Sequence, residues 1–219
     1  MSNWLIDGVI FKHPFTCILA GPTGAGKTIL LNKILDYQQE IIDPKPEKIV
    51  FCYKTWQSAY ERIFNSSKVP IEFHQGLYNN DLFDKKINNV LIIDDLMSEC
   101  ENSSEIKQLF AVDSHHSNIS VFLISQNIFP KGKCARDISL NAHYMIIFNS
   151  PRDMNQIGVL ARQMYPNKSK FFMEAYNDAT NKGHGYLFID LKQKTDERNR
   201  IQTGIIPEEE QRIIYTNRD

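Results

Sequence analysis

From Gly21 to Thr28 the chain reads Gly21-Pro22-Thr23-Gly24-Ala25-Gly26-Lys27-Thr28. A glycine-rich stretch of this spacing, closed by a lysine and a hydroxyl residue, suits one chemistry. Glycines let successive backbone N–H groups turn inward and close around a phosphate. A helix starting at the same place points its positive end at that anion. In this pattern the lysine reaches the β- and γ-phosphates and the following hydroxyl ligates Mg²⁺. Residues 21–28 are therefore expected to hold ATP, with Lys27 on the phosphates and Thr28 on Mg²⁺. Chance would produce the pattern in roughly one chain in a hundred of this length.

A nucleotide site also needs a carboxylate near the metal. Val90-Leu91-Ile92-Ile93-Asp94-Asp95 is an apolar run ending in two acids, the Walker B pattern, about 65 residues beyond the glycine-rich loop. Asp94 is expected to hold the metal and its water shell, and Asp95 to polarise an attacking water. That second acid favours hydrolysis over transfer to a bound acceptor. Another apolar run, Ile119–Ser125, ends in Gln126-Asn127. An amide there can contact both the γ-phosphate and the water, which makes Gln126 a sensor candidate; a plain polar strand cap is the alternative. Charge developing on the γ-phosphate is usually met by an arginine, often from a neighbouring subunit. Arg136, Arg152 and Arg162 are the candidates. Two other uses of the same loop stay open: a small-molecule phosphotransferase, and a structural subunit that binds nucleotide without cycling.

These residues need a scaffold. Phe15–Ala20 reads as a buried strand before the loop. Thr28–Gln38 reads as a helix after it, because Leu30, Leu31, Ile34 and Leu35 share one face. Further strands are expected at Lys48–Tyr53, Val90–Ile93, Ile119–Ser125, Tyr144–Phe148 and Tyr186–Asp190. Helical patterns lie near Trp56–Phe64 and over Ser104–Val112, Asp153–Met164 and Asn167–Thr180. Residues 54–89 give the weakest pattern, with a strand expected at Ile71–His74. Alternating apolar runs and helices define an α/β fold with a mostly parallel central sheet flanked by helices. Residues 1–191 are read as one P-loop ATPase domain, and 192–219, polar and ending in a Glu-rich stretch, as a charged C-terminal arm.

Composition narrows the class. With 219 residues, 42% hydrophobic and 23% charged, the chain is neither a collagen, a disordered tail nor a disulfide scaffold. Its net charge is −1, so no overall basic field marks it for nucleic acid. Residues 120–206, however, carry 12 Lys/Arg against 7 Asp/Glu, with clusters at Lys131, Lys133 and Arg136 and at Lys192, Lys194, Arg198 and Arg200. Either cluster could follow a phosphate backbone, without the interleaved aromatics of a base-stacking platform. Four widely spaced cysteines argue for a reducing compartment and against a zinc site. No apolar stretch approaches the roughly 20 residues of a membrane helix, and Met1–Phe11 is unlike a signal peptide, so an intracellular protein without membrane contact is expected. His115 and His116 lack ligand partners at useful spacing and read as a cap or loop. Phe171, Phe172, Ala175, Tyr176 and Ala179 read as core.

Four segments together resemble a known family. They are His13-Pro-Phe-Thr-Cys-Ile-Leu-Ala-Gly-Pro-Thr-Gly-Ala-Gly-Lys-Thr28, Val90-Leu-Ile-Ile-Asp-Asp-Leu-Met97, His115-His-Ser-Asn-Ile-Ser-Val-Phe-Leu-Ile-Ser-Gln-Asn127, and Arg136-Asp-Ile-Ser-Leu-Asn-Ala-His-Tyr144 running on to Ser150-Pro-Arg-Asp153. Over about residues 10–165 the chain is similar to poxvirus-type genome-packaging ATPases of the FtsK/HerA superfamily, most of all to the versions in Polinton (Maverick) elements and related double-stranded DNA viruses. The resemblance implies a P-loop NTPase of the additional-strand (ASCE) class, with a further strand between the two Walker strands. It also implies a homo-oligomeric ring that pumps double-stranded DNA into a preformed capsid, in contact with capsid or portal components. Contact with DNA would be non-sequence-specific, through pore-facing loops and the basic tail. The implied location is the host-cell nucleus or cytoplasm, or the virion. Lys27, Thr28, Asp94, Asp95 and Gln126 carry over as Walker A pair, Walker B acid, catalytic carboxylate and sensor. Cellular FtsK-type motors have an arginine before the sensor strand where this chain has His115-His116, so the arginine role falls to Arg136 or Arg152.

Overall fold

Runs such as Cys17-Ile18-Leu19 and Val90-Leu91-Ile92-Ile93 are apolar on both strand faces, the signature of strands covered by helices on either side. A computed structural model of the chain describes residues 9–78, 80–100, 102–113, 117–129 and 132–217. The strands are β1 (Phe11–Lys12), β2 (Thr16–Ala20), β3 (Ile42–Asp43), β4 (Lys48–Tyr53), β5 (Ile71–Gln75), β6 (Asn89–Asp94), β7 (Ile119–Ser125), β8 (Tyr144–Phe148), β9 (Tyr186–Asp190), β10 (Ile201–Thr203) and β11 (Ile213–Tyr215). Nine of them form one sheet in the order β11-β10-β9-β8-β2-β7-β6-β4-β5. The six from β8 to β5 are parallel, and β9, β10 and β11 continue antiparallel. β7 lies between β2 and β6, so a strand separates the glycine-rich loop from the Asp94 strand, as the additional-strand class requires.

The helices are α1 (Lys27–Asp36), α2 (Gln38–Ile41), α3 (Ala59–Ser66), α4 (Met97–Cys100), α5 (Ser104–Gln108), α6 (Ala135–Leu140), α7 (Met154–Met164) and α8 (Ser169–Thr180). The periodic pattern over Ser104–Val112 is helical in two parts, with a π-helical turn at Leu109–Asp113 completing α5. One apolar cluster packs α1 and α3 on one face of the sheet, around Leu30, Leu31, Ile34, Tyr60 and Ile63. A second packs α5, α7 and α8 on the other, around Ile106, Ile157, Leu160, Phe172 and Tyr176. α1 buries Leu30, Leu31, Ile34 and Leu35, the stripe expected from its spacing. Phe172, Ala175, Tyr176 and Ala179 are buried in α8, and Phe171 packs against the same cluster.

The segment from 192 departs from the expected arm. It passes through a 3-10 turn at Glu197–Asn199 and supplies β10 and β11 at one end of the sheet. Ile201, Ile205 and Ile206 are fully buried. Gln202, Thr203 and Gly204 separate Ile201 from the Ile205-Ile206 pair, so no long hydrophobic run betrays them; what orders them is the open edge of β9. Ile201→Ala should therefore cost about 3 kcal/mol and lower the melting temperature by roughly 6–12 °C. An arm free of the core would leave thermal unfolding unchanged.

Candidate nucleotide-binding site

All the parallel strands end at one edge of the sheet, and the glycine-rich loop leaves that edge at the end of β2. Gly24 and Gly26 take φ of 79° and 107°, left-handed values that side-chain-bearing residues rarely adopt. The two reversals curl the loop over the N-terminus of α1, which starts at Lys27 with Gly26 as its N-cap. Successive N–H groups curled in this way make an anion-binding concavity. Thr28 stands in the first turn of α1, half-buried.

The Lys27 ammonium donates to the carbonyls of Gly21 (2.6 Å) and Pro22 (2.9 Å), which ties it across the loop. Burial lowers its pKa, opposed by the nearby negative charge of Asp94. Asp94 is buried at the end of β6, 6% exposed. Burial raises its carboxyl pKa; a hydrogen bond from Tyr60 and the charge of Lys27 work the other way, while Asp95 adds to the rise. Lysine and aspartate thus each favour the other's charged form in a desolvated place. The Tyr60 hydroxyl, carried by α3, donates to Asp94 Oδ2 at 2.9 Å. Tyr60 is itself fully buried, packed among the rings of Phe51, Tyr53, Trp56 and Phe73, so its hydroxyl is held by ring packing. Asp95 is exposed, with a left-handed φ of 57°, a strained conformation of the kind that gathers at functional sites.

Gln126 follows β7 directly. Ser125 pairs in register with Ala20, and the Gly21 N–H bonds to the Ser125 carbonyl at 3.2 Å. The amide side chain therefore starts one residue from the loop, and it is exposed. Loop, Lys27, Thr28, Asp94, Asp95 and Gln126 thus share one edge of the sheet. The arginines do not join them as a buried group. Arg136 lies in α6, Arg152 in the turn after β8 and Arg162 in α7, all exposed.

His115, His116 and Lys131 lie outside the described residues. In the second basic cluster, Lys192 pairs with Asp190 (3.4 Å), Arg198 with Asp196 (2.8 Å) and Arg200 with Glu197 (2.9 Å). Arg200 also donates to the carbonyls of Asp190, Lys192 and Thr195. These three cations brace the approach to β10, so the cluster is less of a phosphate track than its sequence suggests.

Tyr60 and His184 were not among the residues singled out from sequence. Nothing in the weak pattern of 54–89 marks Tyr60. A signal for His184 existed in Gly183-His184-Gly185, a histidine between glycines just before a strand.

This sheet order and loop define a P-loop NTPase of the additional-strand class. No sequence profile of a known family matches the chain, and no curated protein is similar in sequence. Solved structures do match in fold. The genome packaging NTPase B204 from Sulfolobus turreted icosahedral virus 2, in complex with AMPPCP, superposes with a TM-score of 0.55 at 16% identity, covering 87% of this chain and 96% of that one. The same protein in complex with sulfate gives 0.57 at 15% identity, covering 87% and 95%. B204, the DNA-packaging ATPase from Sulfolobus turreted icosahedral virus, gives 0.56 at 14% identity, covering 94% and 100%. The chain thus shares its P-loop NTPase fold with these proteins. No helix among the described residues is long and apolar enough to cross a membrane.

Proposed function

We propose that the chain is an ATP-hydrolysing motor that drives double-stranded viral DNA into a preformed capsid, acting as a homo-oligomeric ring with capsid or portal components. The observation that carries the reading is a glycine-rich loop with Lys27 gathered over its carbonyls and the buried Asp94 at the same edge of the additional-strand sheet, in a fold shared with packaging NTPases. Structures of B204 in complex with AMP, AMPPCP and ATP-gammaS support ATP as the nucleotide here.

The loop amides of residues 21–26 and the Lys27 ammonium would hold the β- and γ-phosphates. The donors offered to a metal, the Thr28 hydroxyl and one carboxylate, are hard oxygens of the kind Mg²⁺ takes when phosphates and waters complete its shell. Bound there, Mg²⁺ would neutralise charge on the transferring phosphoryl group. The Tyr60 hydrogen bond and the charge of Lys27 favour the ionised form of Asp94 against the cost of its burial. Asp95, exposed one residue on, would accept the proton of the attacking water. Gln126 would orient that water and register the γ-phosphate. Arg136 or Arg152, surface residues, would serve a neighbouring subunit's site.

The decisive experiment is steady-state ATP hydrolysis with and without linear double-stranded DNA. The proposal expects turnover stimulated by DNA, with DNA affinity that falls steeply with salt and ignores sequence. Turnover that requires an acceptor such as a nucleoside monophosphate would instead indicate a phosphotransferase. Tight nucleotide retention without turnover would indicate a structural subunit.

Tyr60→Phe tests the support of Asp94 separately. The ring packing is retained and only the hydroxyl is lost, so half-saturating Mg²⁺ in fluorescent-nucleotide binding should rise about tenfold, the usual cost of removing a partner of a metal ligand. The melting temperature should change little.

A further inference from the structure

The residues on the far side of the loop from Asp94 have no part in the chemistry above. β2 stands in the middle of five strands: β6, with Asp94, is two strands to one side, and β9 is two strands to the other. β9 runs antiparallel to β8, with Phe148 paired to Tyr186. The turn that enters β9, residues 181–185, therefore lies at the same edge of the sheet as the loop.

That turn carries His184 with a left-handed φ of 62°. Its ring is laid on the loop. A Cβ added to Gly26 would come within 2.8 Å of His184 Nδ1 and 2.9 Å of its Cβ, and Nδ1 lies 3.4 Å from the Ala25 carbonyl oxygen. The strain is not spent on burying the imidazole, which stays exposed. One helical turn on from Gly26, Ile29 is 47% exposed, a large apolar side chain facing water directly after Thr28. Gly26, Ile29 and Lys33 follow one another at helical spacing along α1. Lys33 closes the far end of that stripe with an ion pair to Glu208 at 2.5 Å.

We propose that His184 and Ile29 form the nucleoside subsite, in which the purine of ATP rests on the exposed imidazole and the apolar side chain beside it. The inference rests on residues 21–28 binding a triphosphate. With the metal-bound end of that triphosphate drawn toward Asp94 on the β6 side, its other end must leave the loop toward β9. There the chain offers a flat aromatic ring and a branched aliphatic, a stacking surface that tripolyphosphate alone could not use. The left-handed backbone at His184 directs that ring over the end of the loop.

The test compares ATP with inorganic tripolyphosphate by calorimetric titration of the wild-type chain, His184→Asn and Lys27→Ala. Asparagine tolerates left-handed backbone, so the turn is retained and only the ring is removed; an unchanged melting temperature checks this. His184→Asn should bind ATP about tenfold more weakly, a typical loss for one base-stacking ring, and tripolyphosphate within twofold of wild type. His184→Phe, which keeps a stacking face, should recover most of the ATP affinity. Equal weakening of both ligands in His184→Asn would mean that the ring merely props the loop, and no change in either would mean that it touches neither; both results overturn the proposal. Failure of the underlying reading looks different: the wild type would bind neither ligand, or Lys27→Ala would bind both normally.

Discussion

Lys27→Ala should abolish ATP hydrolysis while leaving the chain folded. The ammonium is the only side-chain cation of the 21–28 loop, and it is already gathered over the loop carbonyls of Gly21 and Pro22. A charge-assisted hydrogen bond to a phosphate contributes about 1.5–3 kcal/mol, so nucleotide affinity should fall between about tenfold and a hundredfold. Transition-state stabilisation by one such donor adds a further 10²–10³ in rate. A second effect acts in the same direction. Burial raises the Asp94 carboxyl and the charge of Lys27 opposes that rise; without the lysine, the acid is less readily ionised. Nucleotide titration and turnover measured together check both parts. Full turnover in Lys27→Ala would exclude the loop as the hydrolytic site.

Asp95→Asn should separate binding from chemistry. Asparagine accepts the left-handed φ of 57° that position 95 holds, so the backbone beside Asp94 has no reason to move. Asp94, Tyr60 and Lys27 keep their contacts. Nucleotide should therefore bind within about twofold of wild type, while single-turnover hydrolysis falls by about 10²–10⁴, the usual contribution of a positioned general base. Asp94→Asn should behave differently, weakening Mg²⁺-dependent binding as well as turnover. If Asp95→Asn hydrolysed ATP at the normal rate, the base would have to be sought elsewhere, and the hydrolytic motor would lose its main chemical support.

These experiments rest on residues legible before any fold was known. The glycine pattern of 21–28 is tied to backbone turns and phosphate geometry so closely that spacing alone identifies it. Asp94-Asp95 and Gln126 could be found because each ends an apolar run, and in a parallel sheet strand ends meet at one edge. The buried strands and the helices α1, α7 and α8 were readable for a related reason: continuous apolar runs and the 3.6-residue stripe are local consequences of burial. Where burial is partial, local signal weakens: the helix expected near Trp56–Phe64 and the strand expected at Ile71–His74 are present as α3 and β5, but their packing was not legible. Residues 54–89 alternate polar and aromatic side chains without a clear period, and only packing gathers Phe51, Tyr53, Trp56, Tyr60 and Phe73 into the group that aims a hydroxyl at Asp94.

The sequence by itself determined the glycine-rich loop, the strand that ends in two acids and the layered α/β class, because each depends on residues close together in the chain. Tertiary structure alone decided the rest. It turned the supposed arm into β10 and β11 and neutralised most of the second basic cluster with neighbouring acids. It also brought Tyr60 to Asp94, 34 residues away, and His184 to the loop at Ala25, 159 residues away. Contacts of that separation leave no periodic trace in a single chain. They arise from how strands order themselves in a sheet, which is a property of the whole fold.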